Sequence, residues 1–189
     1  NFNTADSDLP FSFSMWFNRG DETMVNASAL FAKNSEGSLQ QYRVLYFNQR
    51  LRLMIAPQGT GGSESFIDLT NTWIPDANQW YHLVFTYDGG WEGTSASGLK
   101  MYIDAVEQTV TVTQGSYTNM ITTTAPLVIG SRSDDSAYTN GSFDEFSVFD
   151  YELTQDQVTQ LSSEGYALNF IQSNQSRINI VPESTANIT

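Results

Sequence analysis

The 189-residue chain contains no cysteine, so neither a disulfide framework nor a cysteine-ligated zinc site can hold it together. That absence leaves the compartment open. Basic residues are scarce: 8 Lys and Arg stand against 21 Asp and Glu, a formal charge of −13. A surface of that sign repels nucleic acid and anionic membranes and suits cations or neutral glycans. No stretch approaches the roughly 18–20 consecutive apolar residues that would span a bilayer. No basic segment followed by an apolar one opens the chain, so no membrane insertion is expected. A first residue of Asn1 in place of Met leads us to expect an excised domain or a processed product. Long runs of strong helix formers are also missing.

Aromatic residues make up 13% of the chain and glycine occurs 13 times, a balance that favours strands and turns. Phe11, Phe13, Met15 and Phe17 alternate with Ser12, Ser14 and Trp16, which predicts a strand with an apolar face and an opposite one carrying the serines and Trp16. Further strands are predicted at Ala29–Lys33, Tyr42–Phe47, Leu51–Ile55, Ser65–Leu69, Trp80–Tyr87, Leu99–Ile103 and Leu127–Ile129. A hairpin through Asp104-Ala105 is expected to continue into Glu107–Val112. Arg43, Arg50 and Arg52 concentrate on one hairpin and are expected on a solvated face. His82, the only histidine, lies inside a strand pattern with no serine or cysteine constellation beside it, so a hydrogen-bonded structural role is expected.

The stretch from Pro126 to Leu161 reads as strand, acidic loop, strand and short helix. Between Asp134 and Asp150 fall five carboxylates, Asp134, Asp135, Asp144, Glu145 and Asp150, with no Lys or Arg among them. Such a density is either a solvated face or a cation site. In the second strand, alternation puts Asp144, Phe146 and Val148 on one face, with Asp144 at the strand's mouth, and Phe143, Glu145 and Ser147 on the other. Phe146 and Val148 are expected in the core. Thr154-Gln155-Asp156-Gln157 is a capping box that starts a short helix, with Val158 and Leu161 docking it and Gly165 placed to end it.

About ten short strands at spacings of about 8–12 residues, plus one helix, describe an all-β, two-sheet antiparallel sandwich. We divide the chain into this domain, residues 1–165, and a C-terminal extension or linker, residues 166–189. Two aromatic residues in polar loops, Trp91 and Tyr138, are candidate ligand-stacking platforms.

Four segments carry a resemblance: Pro-Phe-Ser-Phe-Ser-Met-Trp-Phe, Gln-Trp-Tyr-His-Leu-Val-Phe-Thr-Tyr-Asp-Gly, Gly-Leu-Lys-Met-Tyr-Ile-Asp, and Leu-Val-Ile-Gly-Ser followed by Asn-Gly-Ser-Phe-Asp-Glu-Phe-Ser-Val-Phe-Asp-Tyr. In this order the chain resembles the laminin-G-like, concanavalin-A-like jelly rolls, including the pentraxins. The resemblance implies a jelly-roll sandwich in an extracellular, cell-surface or virion module that binds glycans or surface proteins, often with calcium. It implies Asp134 and Asp135 as Ca2+ ligands in the acidic loop, and Asp144, with the Gly141 carbonyl, as a further ligand set. Two departures stand out. Asp104-Ala105 replaces the family's Asp-Gly turn and is expected to need another turn geometry, and a second calcium-ligand cluster has no counterpart upstream.

The first reading is therefore a non-catalytic, calcium-supported module that recognises a glycan or surface partner. The alternative is a structural or adhesive domain joined to other subunits of a larger assembly, such as a phage head decoration, tail fibre or bacterial adhesin. A glycosidase ranks third, because the chain has no Glu-x-Asp pair and alternation would send the adjacent Asp144 and Glu145 to opposite faces.

Overall fold

The computed structural model describes residues 2, 7–20, 28–34, 40–55, 65–90, 98–113, 120, 122–132 and 137–164. Within them run β1 (Phe11–Arg19), β2 (Ser28–Asn34), β3 (Gln40–Phe47), β4 (Arg50–Ile55), β5 (Ser65–Leu69), β6 (Trp80–Tyr87), β7 (Leu99–Ile103), β8 (Val106–Glu107), β9 (Val110–Thr113), β10 (Leu127–Ile129), β11 (Gly141–Phe149) and α1 (Gln155–Glu164). One sheet has the order β11-β1-β6-β7-β8 and the other β10-β2-β3-β4-β5-β9, and every strand pairing is antiparallel. The architecture is the expected all-β jelly-roll sandwich with one short helix.

The core forms because the apolar halves of the alternating strands meet. Phe11, Phe13, Met15 and Phe17 of β1, with Leu83, Phe85 and Tyr87 of β6, pack against Phe31, Tyr42, Val44, Leu53 and Ile67 of the second sheet. Phe13 is fully buried, and the rings of Phe2, Phe11, Phe31, Tyr42 and Phe146 lie with centroids within 6.2 Å of its own. A second, smaller core sits on the outer face of the five-stranded sheet, where Leu153 and Val158 cover Val84 and Tyr102. The capping box is made: Thr154 N–H donates to Gln157 Oε1 at 2.9 Å, and Gln157 N–H to Thr154 Oγ1 at 3.4 Å. Ser12 Oγ clamps the approach to α1, donating to the Tyr151 carbonyl and accepting from Leu153 N–H, both at 2.9 Å.

Several expectations are revised. The hairpin from β7 ends after Glu107; the chain then leaves the first sheet and Val110–Thr113 pairs with β5 in the other. Asp104 and Ala105 both hold positive φ, 49° and 64°, so the turn keeps the left-handed two-residue geometry that an Asp-Gly pair favours, with a strained alanine in place of glycine. Arg43 is buried rather than solvated, its Nε 3.0 Å from Met54 Sδ, and Arg52 is held by Asp68 in a bidentate pair of 2.6 and 2.7 Å. Val148 is 45% exposed on the edge strand β11 and is not core, whereas Phe146 packs against the core as expected. Gly165 and residues 166–189 lie outside the described residues.

Truncating Phe13 to Ala should cost about 3–5 kcal/mol, the range for emptying a buried aromatic site. Val148→Ala should stay within about 0.5 kcal/mol, as for an exposed position. Chemical denaturation of the two variants checks the difference.

Candidate functional site

The site begins with a defect in strand pairing. β1 and β11 pair Ser14 with Ser147 and then Trp16 with Asp144, so Met15 alone opposes both Glu145 and Phe146. This is a β-bulge, and Glu145 carries it in a left-handed conformation, φ 49°. The extra residue reverses the alternation. Asp144 now lies on the outer face beside Trp16, while Phe143 and Phe146 pack inward against the core. The expected grouping of Asp144 with Phe146 and Val148 is thereby corrected. Asp144 is also not at the strand's mouth, since β11 begins at Gly141.

The outer face of the five-stranded sheet is divided by α1. Under the helix lie Ser12, Val84 and Tyr102. Beyond it, the next register positions hold Trp16 opposite His82 and Trp80 opposite Asn18. There Trp16, Trp80, Asp144 and Glu145 line a shallow cavity of about 300 Å³. Trp80 is 42% exposed, an unusual display for an indole on a regular strand. Both carboxylates are exposed, and Asp144 Oδ1 accepts the Glu145 backbone N–H at 2.8 Å, bracing the bulge.

Among the described residues of its lining, no basic neighbour balances the charges within this cavity. Glu145 is held above the usual carboxylate range, first because the cavity walls strip part of its hydration and second because Asp144 repels it. A hydrogen bond from the Trp16 indole opposes both effects. The arrangement thus offers two flat apolar surfaces and two acceptor groups within one opening.

Beneath Trp16 lies His82, 1% exposed, with ring centroids 5.1 Å apart. Its Nε2 shares a 2.8 Å hydrogen bond with Ser14 Oγ, the structural role expected of it. Its backbone N–H donates to Asp104 Oδ1 and its carbonyl accepts Asp104 N–H, both at 2.8 Å, which ties the β7–β8 turn to β6. Burial lowers the imidazole pKa to about 4, so His82 is neutral at physiological pH.

The other expected site residues fall apart from this cavity. Tyr138 is 61% exposed, and its neighbours are anchored to the six-stranded sheet: Ala29 N–H donates to the Ala137 carbonyl and Thr139 N–H to that of Gly130. Gly141 pairs with Arg19, and a Cβ there would come within 2.5 Å of the Asn18 carbonyl, so close packing alone requires glycine. Trp91, Asp134 and Asp135 lie outside the described residues. Among the described residues no group of three or more His, Cys, Asp or Glu stands together, so Asp144 and Gly141 alone do not compose a calcium shell of six to eight oxygens.

A family model described as the concanavalin A-like lectin/glucanases superfamily matches residues 2–159. The chain belongs to that superfamily. No curated protein matches it. Among solved structures it is similar to a heptameric SAP-like pentraxin from Limulus polyphemus, 16% identical, with a TM-score of 0.55 over 84% of this chain and 73% of that one. It is also similar to the binding domain of Paraclostridial Mosquitocidal Protein 1, at 13% identity, TM-score 0.56 and 82% of this chain. The receptor-binding domain of botulinum neurotoxin type G is similar at 12% identity and TM-score 0.53, also over 82% of this chain. The chain spans only 37% and 38% of those two toxin structures. These likenesses concern the fold.

Three residues of the cavity were not among the expected site residues: Glu145, which alternation sent to the face opposite Asp144, and the two indoles, Trp16 and Trp80. The signal of the indoles is that large aromatic side chains occupy the outward positions of two neighbouring strands. His82 generates a pH prediction. The unfolded chain takes up a proton near 6.5, but the folded chain resists it until about 4, so stability should fall as pH drops through that window and level off below it. The component should be on the order of 3 kcal/mol and absent in His82→Gln. Thermal melts of both proteins between these pH values measure it.

Proposed function

We propose that this chain is a non-catalytic binding module that takes a glycan, free or displayed on a surface partner, in the cavity of Trp16, Trp80, Asp144 and Glu145. The observation that carries this reading is the pairing of an exposed indole face on β6 with carboxylate acceptors at the bulge of β11. Sugar rings present apolar C–H faces that stack on indoles and hydroxyls that donate to carboxylates, so both halves of the lining have a counterpart. Side chains seated on packed strands lose little freedom on binding, which favours affinity. The superfamily's description names both lectins and glucanases, and the toxin relatives are described as binding domains. This reading places the module outside the cell, at a cell or virion surface.

A second reading is favoured by one specific observation. The bulge brings Asp144 and Glu145 to one cavity, which removes the objection that adjacent carboxylates must face apart, and Glu145 is shifted in the direction of a proton donor. Against cleavage, Asp144 is tied to the backbone of the residue it would have to work with. Two catalytic carboxylates must flank the scissile bond from opposite sides. Sugar-release assays on any oligosaccharide that binds separate the readings, since hydrolysis abolished by Glu145→Gln would establish the enzyme.

Trp80→Ala should weaken glycan binding about tenfold or more, as expected for losing about 1–2 kcal/mol of stacking. Its melting temperature should change little, because Trp80 is exposed. A glycan array that stays blank, or binding indifferent to this variant, would sink the proposal.

Calcium support is the other part of the proposal. Its basis is the clustering of Asp134 and Asp135 with Asp144 in sequence. A cation bound only by the folded chain must raise its stability. Millimolar Ca2+ should therefore raise the melting temperature, and Asp134→Asn with Asp135→Asn should remove the rise. An unchanged melting temperature in the unsubstituted protein rejects calcium while leaving the glycan reading intact.

A further inference from the structure

The chemistry of the cavity narrows the glycan class. Among the described residues its lining consists of two indoles and two carboxylates, with no hydroxyl, amide or basic side chain. A neutral sugar can donate hydroxyls to the two adjacent anions but leaves their mutual repulsion in place when it binds. A protonated amine relieves that repulsion and is attracted to the face of an indole as well. Other cations with defined partners are engaged elsewhere: Lys33 with the carbonyls of Thr123 and Ala125, Arg52 with Asp68, and Lys100 with Glu152.

A second observation concerns the ground under Trp16. His82 is 1% exposed, and its Nδ1 has no hydrogen-bond partner. Because the imidazole is neutral near pH 7, this basic side chain packed against the cavity's wall adds no positive charge to it. Among the described residues the charged groups facing the opening are therefore Asp144 and Glu145 from β11, with aromatic and neutral groups contributed by β1 and β6.

We propose that the Trp16, Trp80, Asp144 and Glu145 cavity selects glycans bearing free, protonated amino groups over their N-acetylated or hydroxyl counterparts. The proposal rests on the glycan reading of the same cavity. The amine would sit against Asp144 and Glu145 while the sugar ring stacks on an indole.

The test compares matched oligosaccharides by calorimetry: glucosamine oligomers against N-acetylglucosamine oligomers of equal length, at about pH 6, below the range of an ordinary amine. The expected result is a preference of about tenfold for the free amine, combining exposed ion pairing with cation–π attraction, and its decline at high salt. Asp144→Asn with Glu145→Gln should reduce the ratio to about one, because the charge that distinguishes the two oligomers is gone, even as both bind more weakly for want of the carboxylate acceptors. Equal affinities in the unsubstituted protein would overturn the selectivity and leave the glycan reading standing. A preference that survives in the double variant would reflect the overall charge of −13 and overturn the site. Absence of binding by either oligomer, and by neutral glucose oligomers, would overturn both.

Discussion

Burial of the apolar half of β1 is the constraint on which the rest of the molecule depends. Phe11, Phe13, Met15 and Phe17 are all fully buried at the seam between the sheets, and β1 is paired on both sides, with β11 and with β6. Once those four side chains are committed inward, strict period two commits Ser12, Ser14 and Trp16 outward. Each of these then acquires a separate task. Ser12 holds the entry to α1, Ser14 pairs with His82, and Trp16 walls the cavity. Core and site are thus opposite faces of one strand.

The bulge in β11 resolves a conflict between two demands on that strand. Phe143 and Phe146 both pack against the aromatic core although they are three residues apart, an odd spacing that a regular strand sends to opposite faces. One extra residue reconciles them. Glu145 absorbs it with a left-handed backbone that a glutamate adopts only at a cost. The same kink delivers two consecutive carboxylates to the outer face, one of which accepts the amide of the other. Local strain and the cavity's charge have a single origin.

The fold was legible because its signals are periodic and local. β5, β6, β7 and β10 have the expected bounds, and Thr154 and Gln157 form the expected reciprocal cap. What escaped has identifiable physical causes. A bulge breaks the parity on which strand reasoning rests, so Asp144 was assigned the wrong face, and Val148, on the expected face opposite Phe13, is exposed because β11 is an edge strand. The switch of sheets at Gln108-Thr109 depends on which strand edge is open, a tertiary matter. Arg43 was expected in solvent because a charged side chain rarely tolerates burial. Of the candidate site, only Asp144 was anticipated. Trp16 and Trp80 come together because β1 and β6 are neighbours, although 64 positions separate the two residues in the chain (80 − 16).

A cavity framed by three strands, β1, β6 and β11, has consequences for how such a module can diversify. Loop-borne specificity drifts freely, because insertions at a sandwich's rim disturb little. On the proposed reading, a change of recognition here must be written into paired, core-bearing strands, where each outward position is coupled to inward neighbours. Lineages carrying this cavity should therefore vary their rims for new partners while holding one ligand chemistry on the sheet.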